Sequence, residues 1–269
     1  MQSAVSKIVN DSKKDELKFA NQYGYTGVKE ALYTSDHPEV VFWTGFFQNR
    51  FKERKIFEQF EEQTSGNDIH KAVAIATQWY RFSSIMPWIL CKAATVVSNN
   101  IKRHYVIQGA YEELGMRDVN EIHPERFREA AIDAGVDESL FEKHQGFSRV
   151  NDSLDKLVKS LTTSKTDAEV MGILLGLECP AEENVETLFL GLALTPEIKA
   201  QLLKSIFFRI HRAIECEHIR LAVSNFLRFN SDEVSKKDFI KGFDQGIQFW
   251  VEFWSGLAQL TLKLRASSN

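Results

Sequence analysis

One nine-residue stretch of the chain combines imidazole and carboxylate side chains at helical spacing. The segment 210–218 places His211, Glu215 and His218 at positions i, i+4 and i+7. At about 100° per residue, these side chains lie within a sector of roughly 60° on one helix face. The neighbouring rows are apolar, so this face is expected to point into a core. Burying such groups without partners costs on the order of several kcal/mol, and a bound metal ion would remove that cost.

Two further donor groups are weaker candidates when each is taken alone. No Asp or Glu stands between Asp68 and Glu112, and the pair Glu112-Glu113 then precedes Gly115. Acidic side chains are disfavoured at a helix C-terminus by the helix dipole, although a solvated surface pair would also explain them. His123 precedes Pro124 at a predicted helix start, where a surface role is the simpler interpretation.

Glu178 is a stronger candidate because of its apolar surroundings. It is the only acidic or basic residue in the segment 170–181, and Pro180 is expected to kink the helix beside it. A salt-bridged or partly solvated glutamate is the alternative. The combination with the histidine face favours a metal ligand.

Aromatic residues near the middle of the chain have two interpretations. Trp79, Tyr80, Phe82 and Trp88 could line a pocket, but at helical spacing they are more typical of a core. The same holds for the aromatic residues of segment 249–254. The remaining histidines lie in polar surroundings and are assigned to the surface: His37, His70, His104 and His144.

The composition is that of an ordinary water-soluble protein. The 269 residues are 43% hydrophobic and 26% charged, with a net charge of −4, which argues against a nucleic-acid surface. The most apolar run, residues 82–98, contains Lys92 and is too mixed for a membrane span. No apolar signal segment is seen at the N-terminus. Three cysteines in apolar helical segments favour reduced thiols and a cytoplasmic location.

Helical periodicity dominates the chain, and the expected architecture is one all-α bundle over residues 1–269. Predicted stops are Gly115, Gly135 and Gly146. Segment 144–167 is polar enough to be a mobile surface crossover. The predicted helices are 4–22, 38–62, 69–98, 102–115, 124–134, 137–146, 151–163, 167–190, 196–228 and 235–265.

Taken in chain order, the candidate ligands resemble the motifs of the heme-oxygenase-like di-iron oxidases and oxygenases, also called iron-containing redox enzymes. The family's marks are E-E-x-G, a following His, a Glu on a middle helix, and H-x3-[DE]-x2-H. The resemblance covers about residues 70–225. It implies a heme-oxygenase-like helical bundle whose metal ligands are Glu112, His123, Glu178, His211, Glu215 and His218. The two members of the acid pair point about 100° apart, so only one is expected to face the metals, and the resemblance implies Glu112.

The pattern is closest to that of family members that make para-aminobenzoate, with two departures. Leu188 stands where those members carry an assisting Lys, so that particular reaction is not expected. Some relatives add a carboxylate from the preceding helix, which the acid-free run 69–111 does not provide, and Gln78 is the residue in a similar place.

The resemblance implies two Fe ions, with Fe(II) reacting with O2 and Mn a possibility at one site. The enzyme would oxidise a small metabolite, amino-acid-like or fatty-acid-like, in a biosynthetic pathway. An external electron donor and a homodimer stay open as partners. Two other functions also stay open. One is a metal-independent, thiaminase-like enzyme, for which Cys179 and Cys216 are the candidate nucleophiles. The other is a protein-interaction module on the same fold.

Overall fold

The computed structural model describes residues 37–143, 147–229 and 232–268. Within these ranges the regular structure is entirely helical, which confirms the all-α class. A 3-10 turn, Val119–Glu121, separates α4 from α5. The helices are α1 (Pro38–Lys52), α2 (Ile56–Thr64), α3 (Ile69–Val96), α4 (Asn100–Glu113), α5 (His123–Asp133), α6 (Ser139–Lys143), α7 (Ser148–Thr163), α8 (Asp167–Glu178), α9 (Ala181–Leu192), α10 (Pro196–Leu202), α11 (Ile206–Phe229) and α12 (Glu233–Ala266).

Helix α12 is the central element of the bundle. It packs against α8 and also contacts α2, α3 and α7. Its buried face carries a run of aromatic residues that includes Phe249, Trp250, Phe253 and Trp254. The predicted core role of these residues is thus confirmed. In the described part of the chain, the helices are all too short or too polar to cross a membrane.

Four glycines let α8 and α12 pack backbone against backbone. They are Gly172 and Gly176 on α8, and Gly242 and Gly246 on α12. A Cβ atom at Gly172 would lie 2.0 Å from the carbonyl oxygen of Phe239, and one at Gly246 would lie 2.8 Å from Cα of Gly176. No side chain larger than hydrogen fits at this crossing, which therefore fixes the position of the last turn of α8.

Helix α8 ends beside Glu178 because Pro180 has no backbone N–H to continue it. The indole Nε1 of Trp250 donates a hydrogen bond of 3.0 Å to the Leu177 carbonyl, one of the terminal carbonyls that a helix leaves without partners. The predicted helix 167–190 is therefore two helices, and the kink expected at Pro180 is a complete break.

A tight turn after α4 brings the chain back toward His123. Gly115 has φ +78°, a left-handed conformation that favours glycine. Its N–H bonds to the Glu112 carbonyl, and that of Met116 bonds to the Tyr111 carbonyl, each at 2.9 Å. A Cβ atom at Gly115 would lie 2.4 Å from a carbonyl oxygen of the following turn. The predicted stop at Gly115 is confirmed, as is that at Gly135.

Other predicted boundaries need correction. Helix 38–62 is broken at Lys55, whose φ is +50°, and helix 196–228 is broken at residues 203–205. The crossover expected over 144–167 is largely the packed helix α7. Its apolar residues recur at helical spacing, with Val150, Leu154 and Leu161 buried against the bundle. The expected helix 4–22, His144 and Gly146 lie outside the described residues.

Candidate functional site

A cavity of about 320 Å³ lies among the helices and brings predicted ligands together. Glu112 of α4, His123 of α5, Glu178 of α8 and His211 of α11 all line it. The first and last of these residues, Glu112 and His211, are 99 positions apart in the sequence. Four separate helices therefore deliver imidazole and carboxylate groups to one internal space.

Most of the remaining lining is apolar. It includes Phe82, Met86, Leu174 and Phe207. Trp79 and Trp250 also line the cavity, and the centroids of their stacked rings are 5.7 Å apart. An apolar lining lowers the local dielectric constant and so strengthens electrostatic interactions beside it. Trp79 and Phe82 are buried, as their favoured interpretation as core residues predicts, and they also line this cavity.

Two contacts define the orientation of the His211 ring. Its Nδ1 lies 2.8 Å from the Phe207 carbonyl oxygen, and its ring stacks on that of Phe207 with centroids 4.1 Å apart. A carbonyl oxygen can only accept, so Nδ1 carries the proton and donates. In the neutral ring, Nε2 then carries the lone pair, which is the form that binds a metal.

His123 lies next to His211 at the same end of the cavity. The two ring centroids are 4.9 Å apart, with the planes at 77°, and His123 is only 8% exposed. The Glu113 carboxylate lies 3.4 Å from Nδ1 of His123. A carboxylate in that place favours a proton on Nδ1, which leaves Nε2 as the lone-pair nitrogen.

Cavity position alone does not distinguish the two members of the acid pair as ligands, so the choice of Glu112 stays a prediction. Glu112 and Glu113 both line the cavity, and both are half-buried. Glu112 accepts a hydrogen bond of 3.1 Å from Gln108. Glu113 is the last residue of α4, and the turn at Gly115 brings His123 within its reach, so the two carboxylates have different neighbours in one space.

The remaining predicted ligands, Glu215 and His218, are on α11 one and two turns beyond His211. Their side chains lie outside the described set. Among the side chains that the structure does describe, no three of His, Cys, Asp and Glu could hold a metal ion together. The described part of the site therefore consists of two imidazoles and carboxylates around a cavity, without a closed ligand cluster.

Gln78, Tyr80 and Trp88 are not among the residues that line the cavity. Gln78 is fully buried in α3, and its predicted place beside the metal ligands stays a prediction. Tyr80 donates a hydrogen bond of 2.8 Å to Glu125, and Trp88 is 47% exposed. His37 and His70 are partly exposed and His104 is exposed, which agrees with their predicted surface positions.

The cysteines bear on the metal-independent alternative. Cys179 is buried, and burial raises the pKa of its thiol, as do the nearby charges of Glu183 and Glu178. A thiol with a raised pKa forms little thiolate and makes a poor nucleophile. Cys216 is the other candidate, and its side chain lies outside the described set.

Sequence reasoning missed the polar residues that line the cavity, among them Ser83, Asn184 and Asn225. These three are buried. Asn184 accepts a hydrogen bond of 2.9 Å from the Trp254 indole. Nothing in the local sequence distinguishes these residues from ordinary helix-surface polar residues, because their position depends on how the helices cross.

No protein-family model matches the chain, and no curated protein matches its sequence.

Proposed function

We propose that the chain is a non-heme di-iron oxygenase or oxidase that uses O2 to oxidise a small metabolite. One observation supports this above others. Four of the six residues that match the family's ligand pattern line a single, mainly apolar cavity, although they come from four different helices. A surface role would not require such an arrangement of Glu112, His123, Glu178 and His211.

The donor set suits the proposed metal. Imidazole and carboxylate together are typical ligands of non-heme iron and manganese. In the proposal, Glu215 and His218 supply the two further donors from the same face of α11 as His211. The described side chains alone contain no group of three that could hold a metal ion.

In the proposal, the residues around the cavity have separate roles, which their contacts indicate. The Phe207 carbonyl holds the His211 ring with Nε2 available in the lone-pair form, and Glu113 does the same for His123. The apolar lining keeps bulk water from the reacting groups. Iron, when bound, would supply the O2 chemistry that amino-acid side chains do not provide.

The proposal is tested by measuring metal content. Protein reconstituted anaerobically with Fe(II) should bind close to two iron ions per chain after gel filtration. His211→Ala and Glu178→Ala should each lose at least one iron ion, because each change removes a donor. His104→Ala is the matched control, since His104 is exposed and does not line the cavity.

Oxygen consumption provides the second measurement. The iron-loaded protein, reduced with dithionite and separated from it, should take up O2 when air is admitted, and His211→Ala should not. Full iron retention in both His211→Ala and Glu178→Ala would exclude the di-iron assignment.

A further inference from the structure

The cavity is elongated along helix α11. Phe207 and His211 line one end of it, and Asn225 and Phe226 line the other. His211 and Asn225 are 14 positions apart, which corresponds to a rise of about 21 Å along an α-helix. A cavity of about 320 Å³ that reaches over such a length accommodates an extended chain. The shape fits an extended chain better than a compact molecule.

The charges of the lining restrict the ligand further. Among the described residues around the cavity, none is Lys or Arg. The contacts of His123 with Glu113 and with His211 place these ionisable groups at the His211 end. A carboxylate at the Asn225 end would meet no cation among the described lining residues, and burial of an unpaired charge is strongly unfavourable.

Asn225 is a polar residue at the end of the cavity that lies opposite His211. It is 7% exposed and lines the cavity. Its neighbour along α11, Phe226, packs on Phe239 with ring centroids 4.3 Å apart. In the described part of the chain, no residue forms a hydrogen bond with the Asn225 amide. Asn184, by contrast, already accepts a hydrogen bond from Trp254. The Asn225 amide faces the cavity, so a ligand group there can pair with it.

We propose that the substrate is an extended apolar chain with an uncharged amide or ester carbonyl, which binds Asn225 while the rest of the chain extends toward His211. An amide side chain can donate to a carbonyl oxygen and accept from an amide N–H, and it requires no counter-charge. This inference names the substrate class of the proposed enzyme and in that respect rests on the proposed function. Binding itself needs no metal, so it can be measured separately.

The first test compares ligands on the metal-free wild-type protein. Tryptophan fluorescence reports binding, because Trp79 and Trp250 line the cavity. The probes are octanamide, decanamide, decanoate, decylammonium and decane. Decanamide should bind about tenfold or more tightly than octanamide, since each buried methylene adds about fourfold. It should also bind at least threefold more tightly than each of the other ten-carbon probes. Equal or tighter binding of decanoate or decylammonium would overturn the proposal.

The second test changes the proposed partner. Asn225→Leu should weaken decanamide binding about two- to tenfold, the range for one net hydrogen bond, and should leave decane binding equal or tighter. Asn120→Leu, at an exposed position outside the cavity, is the control. An equal loss for decanamide and decane would indicate a packing change and overturn the assignment, as would no loss at all.

Asn225→Ala gives a second variant if the leucine variant does not fold. It removes the amide without adding bulk or charge, so it should also weaken decanamide binding relative to decane. An unchanged ratio would contradict the proposal. Failure of these binding tests with normal iron content would reject the substrate class alone, whereas loss of the di-iron assignment would appear only in the metal analysis.

Discussion

Glu113 contacts one of the candidate ligands of the proposed site. Its carboxylate lies 3.4 Å from Nδ1 of His123, and carboxylates in that position orient a metal-binding imidazole and raise its basicity. Glu113→Ala should therefore lower the affinity for Mn(II) about 10- to 100-fold. Equilibrium dialysis of the metal measures this. Glu142→Ala, an exposed acid outside the cavity, should have no effect.

An affinity in Glu113→Ala equal to that of Glu142→Ala would mean that the contact with His123 has no part in metal binding. A Glu113→Gln variant refines the result. Its amide can still accept a hydrogen bond from Nδ1 but carries no charge, so it should fall between wild type and Glu113→Ala.

The sequence predicts some site residues and not others for a physical reason. His211 and Glu178 could be found because polar side chains interrupt apolar helix faces, which is a local signal. The role of Glu113 depends on the turn at Gly115, and that of Asn225 on how α11 crosses its neighbours. Both are tertiary relationships, and neither leaves a pattern within one helix.

At the scale of elements, proline and glycine residues predict several of the helix ends. The break at Pro180 and the stops at Gly115 and Gly135 follow from backbone chemistry that each residue imposes locally. The break at Lys55 could not be predicted, because a left-handed lysine is intrinsically unfavourable. In the structure it separates α1 from α2, and each helix buries apolar residues of its own.

The α8–α12 crossing makes a prediction about stability. In Gly176→Ala, the new Cβ would lie 2.5 Å from the Phe243 carbonyl oxygen. The helices would have to separate, at a cost of about 1–3 kcal/mol or more. Gly45→Ala is the matched control in α1, where a Cβ meets nothing within 4 Å. It should stabilise the protein by up to about 1 kcal/mol. Urea denaturation measures both.

Similar destabilisation by the two alanine variants would contradict the close crossing. A separation of α8 from α12 would also move Glu178, the last residue of α8. Gly176→Ala should therefore bind less metal than Gly45→Ala under conditions in which both proteins are folded.

At the scale of the molecule, the all-α class follows from helical periodicity over most of the chain, whereas the arrangement of the helices around α12 does not.

An ion pair where α8 crosses α12 makes the stability of the protein depend on pH. Glu169 is 5% exposed, and one carboxylate oxygen lies 2.7 Å from the Lys241 ammonium. Burial raises the pKa of Glu169, but the hydrogen bond from Lys241 and other donors outweigh it, so the pKa is lowered from 4.5.

A lowered pKa in the folded state gives stability that is present above the unfolded value of 4.5 and is lost as pH falls through the folded pKa. Glu169→Gln should therefore be less stable than wild type at pH 7, and the difference should shrink at pH 3. Urea denaturation at the two pH values measures it. A constant difference would show that the carboxylate charge does not contribute.

Metal binding should be linked to the stability of the whole bundle, because the candidate ligands come from α4, α5, α8 and α11. A metal at a concentration 100 times its Kd stabilises the folded state by about 2.7 kcal/mol. For a chain of this size, that corresponds to a rise in Tm of about 5–10 °C.

Mn(II) is the suitable probe, since it shares the ligand preferences of iron and does not require the exclusion of air. The shift should be smaller at pH 5 than at pH 7, because the histidine ligands must be neutral. His104→Ala should keep the shift and His211→Ala should lose most of it. An equal shift in both variants would place the bound metal outside this cavity.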